Sequence, residues 1–292
     1  SPAATPVSAN LALPALAATS LLSACGGGGS GGGGGTTEPP PVVRPVPVPV
    51  SEPVAARFLG QASTGASRAD IRSLAANGFN IWLNDQFATP RPQTFVGWLD
   101  ASGYGVPANQ NNQTGLDPMV WAQLMGAPDT LRQRVGLALL SIWAIGADGL
   151  AGSWRQYNVA AYLDVLWNNA FGNYRDLMEG VTTSVAMGQF LTFLGSVRAN
   201  GNVQPDENYA RELMQLFTIG LVQLNPDGTP VLQDGQPVES YRLNDVSQLA
   251  RVWTGYTFSV ADTTAVDRFR QPMAVNEAQH ETGASTFLGI SI

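Results

Sequence analysis

One stretch limits where a core can form. From Gly26 to Pro53 the chain reads GGGGSGGGGGTTEPPPVVRPVPVPVSEP. The glycine run has nothing to bury and behaves as a flexible coil, with a root-mean-square reach of roughly 15–20 Å. The proline–valine alternation after it favours extended polyproline II, which rises about 3 Å per residue without internal hydrogen bonds. A soft joint feeding a semi-rigid spacer is a linker, so residues 26–53 separate a short leading segment, 1–25, from residues 54–292. The latter are long enough for one large domain.

The leading segment carries an apolar run, LALPALAATSLLSAC over residues 11–25. It is too short and interrupted to span a membrane, and it ends in small residues before a cysteine, as exported leaders do. Leu22-Ser23-Ala24-Cys25 resembles the bacterial lipobox, in which the leader is cut before the cysteine and the thiol carries lipid. Residues 1–25 are therefore expected to be a signal-peptide remnant with Cys25 lipidated. Neither a methionine nor a basic residue precedes the run, so the true start is expected to lie upstream. Gly26 stands where an inner-membrane retention signal would place aspartate. The expectation is an exported outer-membrane lipoprotein, on its periplasmic or surface face, held to the membrane through its lipid.

Composition excludes several chemistries. Hydrophobic residues make up 44% of the chain, enough for a core, whereas charged residues are only 13%. The net charge is −7 and there is no basic run, which argues against nucleic-acid binding, since that needs a cationic footprint. With Cys25 the single cysteine, there is no intrachain disulfide or thiolate metal cluster. With His280 the single histidine, two-imidazole zinc and iron sites are excluded. No metal or cofactor is expected.

Past the linker the pattern is helical. Ser67 and Asp70 make a capping-box start, Ile71, Leu74 and Ala75 form the inward stripe, and Gly78 is the stop. In NIWLNDQF, Trp82, Leu83 and Phe87 are expected to face inward. Residues 101–118 read as a long surface loop. Asp129 is expected to cap the helix TLRQRVGLALLSIWAIG, with Leu131, Val135, Ala138, Leu139 and Ile142 in the core. NVAAYLDVLWNNAFG and NYRDLMEGVTTSVAMGQFLTFLG continue as helices. The pattern breaks once: Asp227-Gly228 and Asp234-Gly235 punctuate short β-prone runs, the mark of a hairpin insertion. Asp245 is then expected to cap VSQLARVWTG, with Gln248 completing the box. The fold class is mainly α, an irregular multi-helix domain with a small β-hairpin insertion, preceded by a Gly/Pro tether expected to be disordered.

No G-x-S-x-G, P-loop, dinucleotide fingerprint or H-E-x-x-H is present. The densest polar cluster is in PDENYARELMQLFTIG, residues 205–220. Its structural reading is a helix start: Asp206 and Glu207 put negative charge at the N-terminus, and Glu207 pairs with Arg211 at i, i+4. Ala210, Leu213, Met214 and Phe217 make the core stripe, and Gly220 the stop. Its functional reading is a polar cluster of Glu207, Asn208, Tyr209, Arg211 and Glu212. Asn208, Arg211 and Glu212 project together, able to bind a carboxylate or sugar hydroxyls, or to hold an acid–base carboxyl beside arginine.

PDENYARELMQLFTIGL, LNPDG, DGQPVESY and LARVWTGYTF together resemble the hallmark run of the bacterial domain-of-unknown-function family 1800. The resemblance extends from about Val54 to Ile292 and reaches HETGASTFLG, similar to that family's histidine-containing segment. Val185 stands where proline is expected and Ser285 where lysine is common. The family domain continues further, so Ile292 is expected to be a truncation. Members resemble large exported bacterial proteins, often encoded beside another family similar to sulfatases and phosphatases, and the resemblance implies no settled activity. The first functional expectation is a binding or scaffolding protein for an exported partner. The alternative is a hydrolase-like enzyme acting on envelope or extracellular polymers through the carboxylate–arginine cluster.

Overall fold

A computed structural model describes residues 46–292; the expected signal-peptide remnant, Cys25, the glycine run and most of the proline-rich segment lie outside the described residues. The described residues are mainly α-helical, with three small two-stranded antiparallel pairings and no larger sheet. Among them no helix is long and apolar enough to cross a membrane.

The end of the spacer is docked rather than free. Val50 N–H donates to the Ala75 carbonyl at 2.8 Å. Val50 also packs on a small cluster made by α1 (Glu52–Ala62), α2 (Arg68–Asn77) and α3 (Phe79–Ala88), centred on Ala55, Leu59 and Leu74. Gly78 permits this approach: at φ +81° its Cβ would sit 2.2 Å from the Val48 carbonyl oxygen. Ser67 and Asp70 cap α2 reciprocally, as the sequence indicates. Of the inward face expected for α3, only Trp82 packs on this cluster, edge-on to Phe58. Trp82 and Leu83 are only half-buried and Phe87 is exposed, edge-on to Phe171. The reason is that α3 meets its neighbour through an amide: Gln86 Oε1 accepts from the Leu131 N–H at 3.0 Å.

The main core is built on α7 (Arg155–Asn168), which buries nine of its 14 residues and so is enclosed on nearly every side. Around it lie α4 (Phe95–Ala101), α6 (Thr130–Ile142), α8 (Tyr174–Thr183) and α9 (Val185–Phe190), while α5 (Leu116–Gly126) fills the gap between α4 and α6. On α6 the buried positions are Gln133 and Gly136, whereas Ala138 and Ile142 are exposed, which corrects the stripe read from periodicity. The face is set by Trp167. Its ring lies where a Gly136 Cβ would be, 2.4 Å away, and its Nε1–H donates to Gln133 Oε1 at 2.7 Å. Asp129 does not cap α6 with its side chain. It is fully buried, accepting from Gln133 Nε2 at 3.1 Å beside Arg132 at 3.4 Å.

The loop expected at 101–118 is shorter than that, because α5 starts at Leu116. It is held down by Gln156 Nε2–H donating to the Asn109 carbonyl and by Trp154 N–H donating to that of Gln110. After α9, the helix α10 (Asn208–Glu212) runs directly into a π-helical turn, Leu213–Phe217. The expected hairpin follows as β1 (Leu232–Gln233) and β2 (Gln236–Pro237). Asp234 and Gly235 are both at positive φ, +53° and +77°, the geometry of a type I′ turn. Next, α11 (Leu243–Val252) starts before Asp245, so Asp245 is its third residue and accepts from the Arg242 N–H instead of standing at the cap. Two pairings were not anticipated. β3 (Tyr256–Thr257) joins β4 (Ala274–Val275) across α12 (Asp267–Arg270), and β5 (Thr286–Phe287) turns back as β6 (Ile290–Ser291).

Candidate functional site

The start of α10 is fixed by side chains of the preceding loop. Both Asp206 carboxylate oxygens accept from Thr192 Oγ1 at 3.0 Å, and Oδ1 also accepts from the Asn208 N–H at 2.9 Å. The Asp206 N–H in turn donates to Ser196 Oγ at 3.0 Å. Asp206 thus caps the helix, and Glu207 is free to reach sideways. Its Oε2 accepts from Arg211 Nη2 at 3.0 Å, and its Oε1 accepts from Ser247 Oγ on α11. That carboxylate ties two helices together. The ion pair is partly exposed, in the class that contributes about 0–1 kcal/mol.

The five candidate residues do not form one cluster. Tyr209 is fully buried, its ring stacked on Phe193 at 4.4 Å and edge-on to Trp253 at 5.4 Å. Its hydroxyl meets Thr182 Oγ1 on α8. Burial pushes the Tyr209 phenol far above its ordinary value, with the Thr182 hydrogen bond opposing. Asn208 turns to Thr192 Oγ1, at 3.4 Å, and Arg211 to Glu207. Glu212 is half-buried and, among the described residues, makes no hydrogen bond or ion pair. No side-chain hydrogen bond joins Asn208, Arg211 and Glu212 to one another.

The core stripe of the motif is present, with Ala210, Leu213, Met214 and Phe217 all buried. Phe217 stacks on Trp143 at a centroid distance of 3.9 Å. What periodicity did not reveal is the π turn. Thr218 Oγ1 donates to the Leu213 carbonyl at 2.7 Å, and the Ile219 and Gly220 N–H groups both donate to that of Met214. Leu216 and Ile219, off the buried stripe, are at 61% and 43% exposure. Such π turns interrupt α-helices often at functional sites.

Two open grooves flank α11. The larger, about 760 Å³, lies between β1–β2 and the Leu288–Gly289 turn, with Tyr241, Arg242 and Asp245 in its wall. The smaller, about 500 Å³, is bordered by Arg251, His280 and Glu281. Neither is lined by Glu207, Asn208, Tyr209, Arg211 or Glu212. Among the described residues no three of His, Cys, Asp and Glu converge closely enough to hold a metal ion.

No match was found among curated proteins or among solved structures. The family model described as protein of unknown function (DUF1800) matches residues 57–292, most of the chain, and the chain belongs to that family.

Proposed function

We propose that the protein is an envelope-anchored lipoprotein that binds or scaffolds an exported partner protein. The observation that carries this reading is the apolar surface after the family motif. Leu216, Ile219 and Leu221 are exposed there, and so is Leu243, which opens α11. The Ser240 N–H donates to the Leu221 carbonyl, so the strand entering α11 runs beside that segment. Exposed apolar side chains gathered in one region favour association with another protein. Asp206, Glu207 and Tyr209 of the motif are meanwhile engaged in capping α10, bridging to α11 and packing against α8, which leaves Glu212 as its unpartnered carboxylate among the described residues.

The test is a pull-down of the full chain from membranes, with Leu216→Arg and Ile219→Arg as surface variants. A stoichiometric exported partner, lost in both variants, is the expected result; no stoichiometric partner refutes the proposal. Anchoring is tested separately by Cys25→Ala, which should release the protein from membranes. The second reading, a hydrolase-like enzyme on envelope polymers, rests on Glu212, a carboxylate with no partner among the described residues. It requires Glu207→Gln and Glu212→Gln to fold normally and yet abolish a phenotype; wild-type behaviour of both ends it.

A further inference from the structure

His280 is held with unusual definition for a side chain on an open groove. Its Nδ1 lies 2.7 Å from the Thr254 carbonyl oxygen. A carbonyl only accepts, so Nδ1 carries the proton, and Nε2 of the neutral ring is an acceptor. Thr254 is fully buried. Its Oγ1 donates to the Arg251 carbonyl and accepts from the Glu281 N–H at 2.8 Å. The next residue, Gly255, is at φ +80°, where a Cβ would lie 2.9 Å from the backbone N and Cβ of His280. The segment carrying the histidine therefore seats only on glycine. Thr254 and Gly255 together fix both the position of the ring and its tautomer.

His280 lines the 500 Å³ groove, a volume within the range of small-ligand sites. Among the described residues Nε2 makes no hydrogen bond. Arg251 is beside it. Nη1 donates to Gln248 Oε1 and to the Ala284 carbonyl, and Nε sits 3.5 Å from Glu281 Oε2, leaving Nη2 without a partner among the described residues. The groove thus offers an acceptor and donors side by side. Arg251 is neutralised by Glu281, and the wall includes the carbon surfaces of Val252 and Ala284. Neighbouring donor and acceptor groups of low net charge over carbon surface match a hydroxyl-rich neutral ligand, whose hydroxyls both give and take hydrogen bonds.

We propose that this groove is a saccharide site in which His280 Nε2 accepts from a sugar hydroxyl and Arg251 Nη2 donates to a neighbouring oxygen. It is separate from the apolar surface of the proposed partner interface. With a single imidazole in the chain, ¹⁵N-histidine labelling of the full chain gives one unambiguous ring. Long-range ¹H–¹⁵N spectra at pH 8 should show the Nδ1-protonated tautomer. Titration with maltotetraose and chitotetraose should shift Nε2 saturably with at least one of them, and sodium acetate and sodium sulfate should leave it unmoved. Gly283→Ala places a methyl 3.0 Å from Arg251 Nη2 and 3.2 Å from Glu281 Oε1, crowding the open side of the guanidinium while keeping the Gly283 N–H that donates to that carboxylate. It should weaken the saccharide response by about tenfold, one lost hydrogen bond to a charged donor, as should Arg251→Lys. The Nε2-protonated tautomer, no shift with either saccharide, a response to the anions alone, or an undiminished response in both variants overturns the proposal.

Discussion

The buried contact between Tyr209 and Thr182 has a direction, and that direction has measurable consequences. Thr182 Oγ1 donates to the Met178 carbonyl at 2.7 Å, which uses its only hydrogen. The Tyr209 hydroxyl must therefore be the donor to Thr182 Oγ1. Removing the donor by Tyr209→Phe leaves Thr182 bonded to Met178 and forfeits only one net hydrogen bond, about 0.5–1.5 kcal/mol. Removing the acceptor by Thr182→Val strands a fully buried O–H, at about 1–3 kcal/mol. The double variant has no stranded group and should be no less stable than Thr182→Val alone, giving a favourable coupling. For a domain of this size each kcal/mol moves the thermal midpoint by roughly 2–4 °C. Equilibrium urea unfolding and thermal melts of the four proteins form the assay. A Tyr209→Phe variant that loses as much as Thr182→Val, or a double variant with the sum of both losses, refutes the assigned donor.

Gly136→Ala forces a methyl into the Trp167 ring, 2.4 Å from its atoms, and should destabilise by about 1–3 kcal/mol, read as an earlier urea midpoint. Truncating Arg91 leaves Asp164, 2.6 Å away and mostly buried, with only the Phe95 and Val96 N–H groups as partners; Arg91→Ala should cost about 1–3 kcal/mol in the same assay. The Asp245 carboxyl is held below its ordinary value by the Leu288 N–H and then by that of Arg242. Because the folded value is the lower one, the contribution of Asp245 is complete above its ordinary value of 3.8 and is lost as pH falls through the folded value. NMR shifts of the Leu288 amide should therefore titrate with a midpoint below 3.8, and Asp245→Asn should remove the transition.

Features that a few neighbouring residues decide were legible in the sequence. The capping box at Ser67 and Asp70, the Asp234-Gly235 turn and the apolar stripe from Ala210 to Phe217 each depend on local spacing alone, and each is found. Features decided by a distant partner were not. Gln133 and Gly136 form the inner face of α6 because Trp167 needs a hydrogen-bond acceptor and a bare backbone there, which no periodicity within α6 encodes. Tyr209 entered the polar cluster only because it stands between Asn208 and Arg211 in the sequence, although neighbours i, i+1 on a helix do not face each other. Its true environment comes from Phe193, Trp253 and Thr182, all distant in sequence. The π turn was hidden because Leu213, Met214 and Phe217, which lie within it, keep the buried spacing of an ordinary helix. His280 was visible as a solitary residue, but its fixed tautomer depends on the Thr254 carbonyl, 26 residues earlier.

The seating of Val50 against the end of α2 also determines how the domain answers a mechanical pull. Tension arriving through the proline-rich segment is delivered first to the Val50–Ala75 hydrogen bond and the close contact of Val48 with Gly78. From there it passes into the three-helix cluster around Leu59 and Leu74. That cluster is small and separate from the packing around α7. It is tied to that packing by polar bonds, Arg134 Nε to the Gln61 carbonyl and the Leu131 N–H to Gln86, so load entering at Val50 is passed across α1 and α3 to α6.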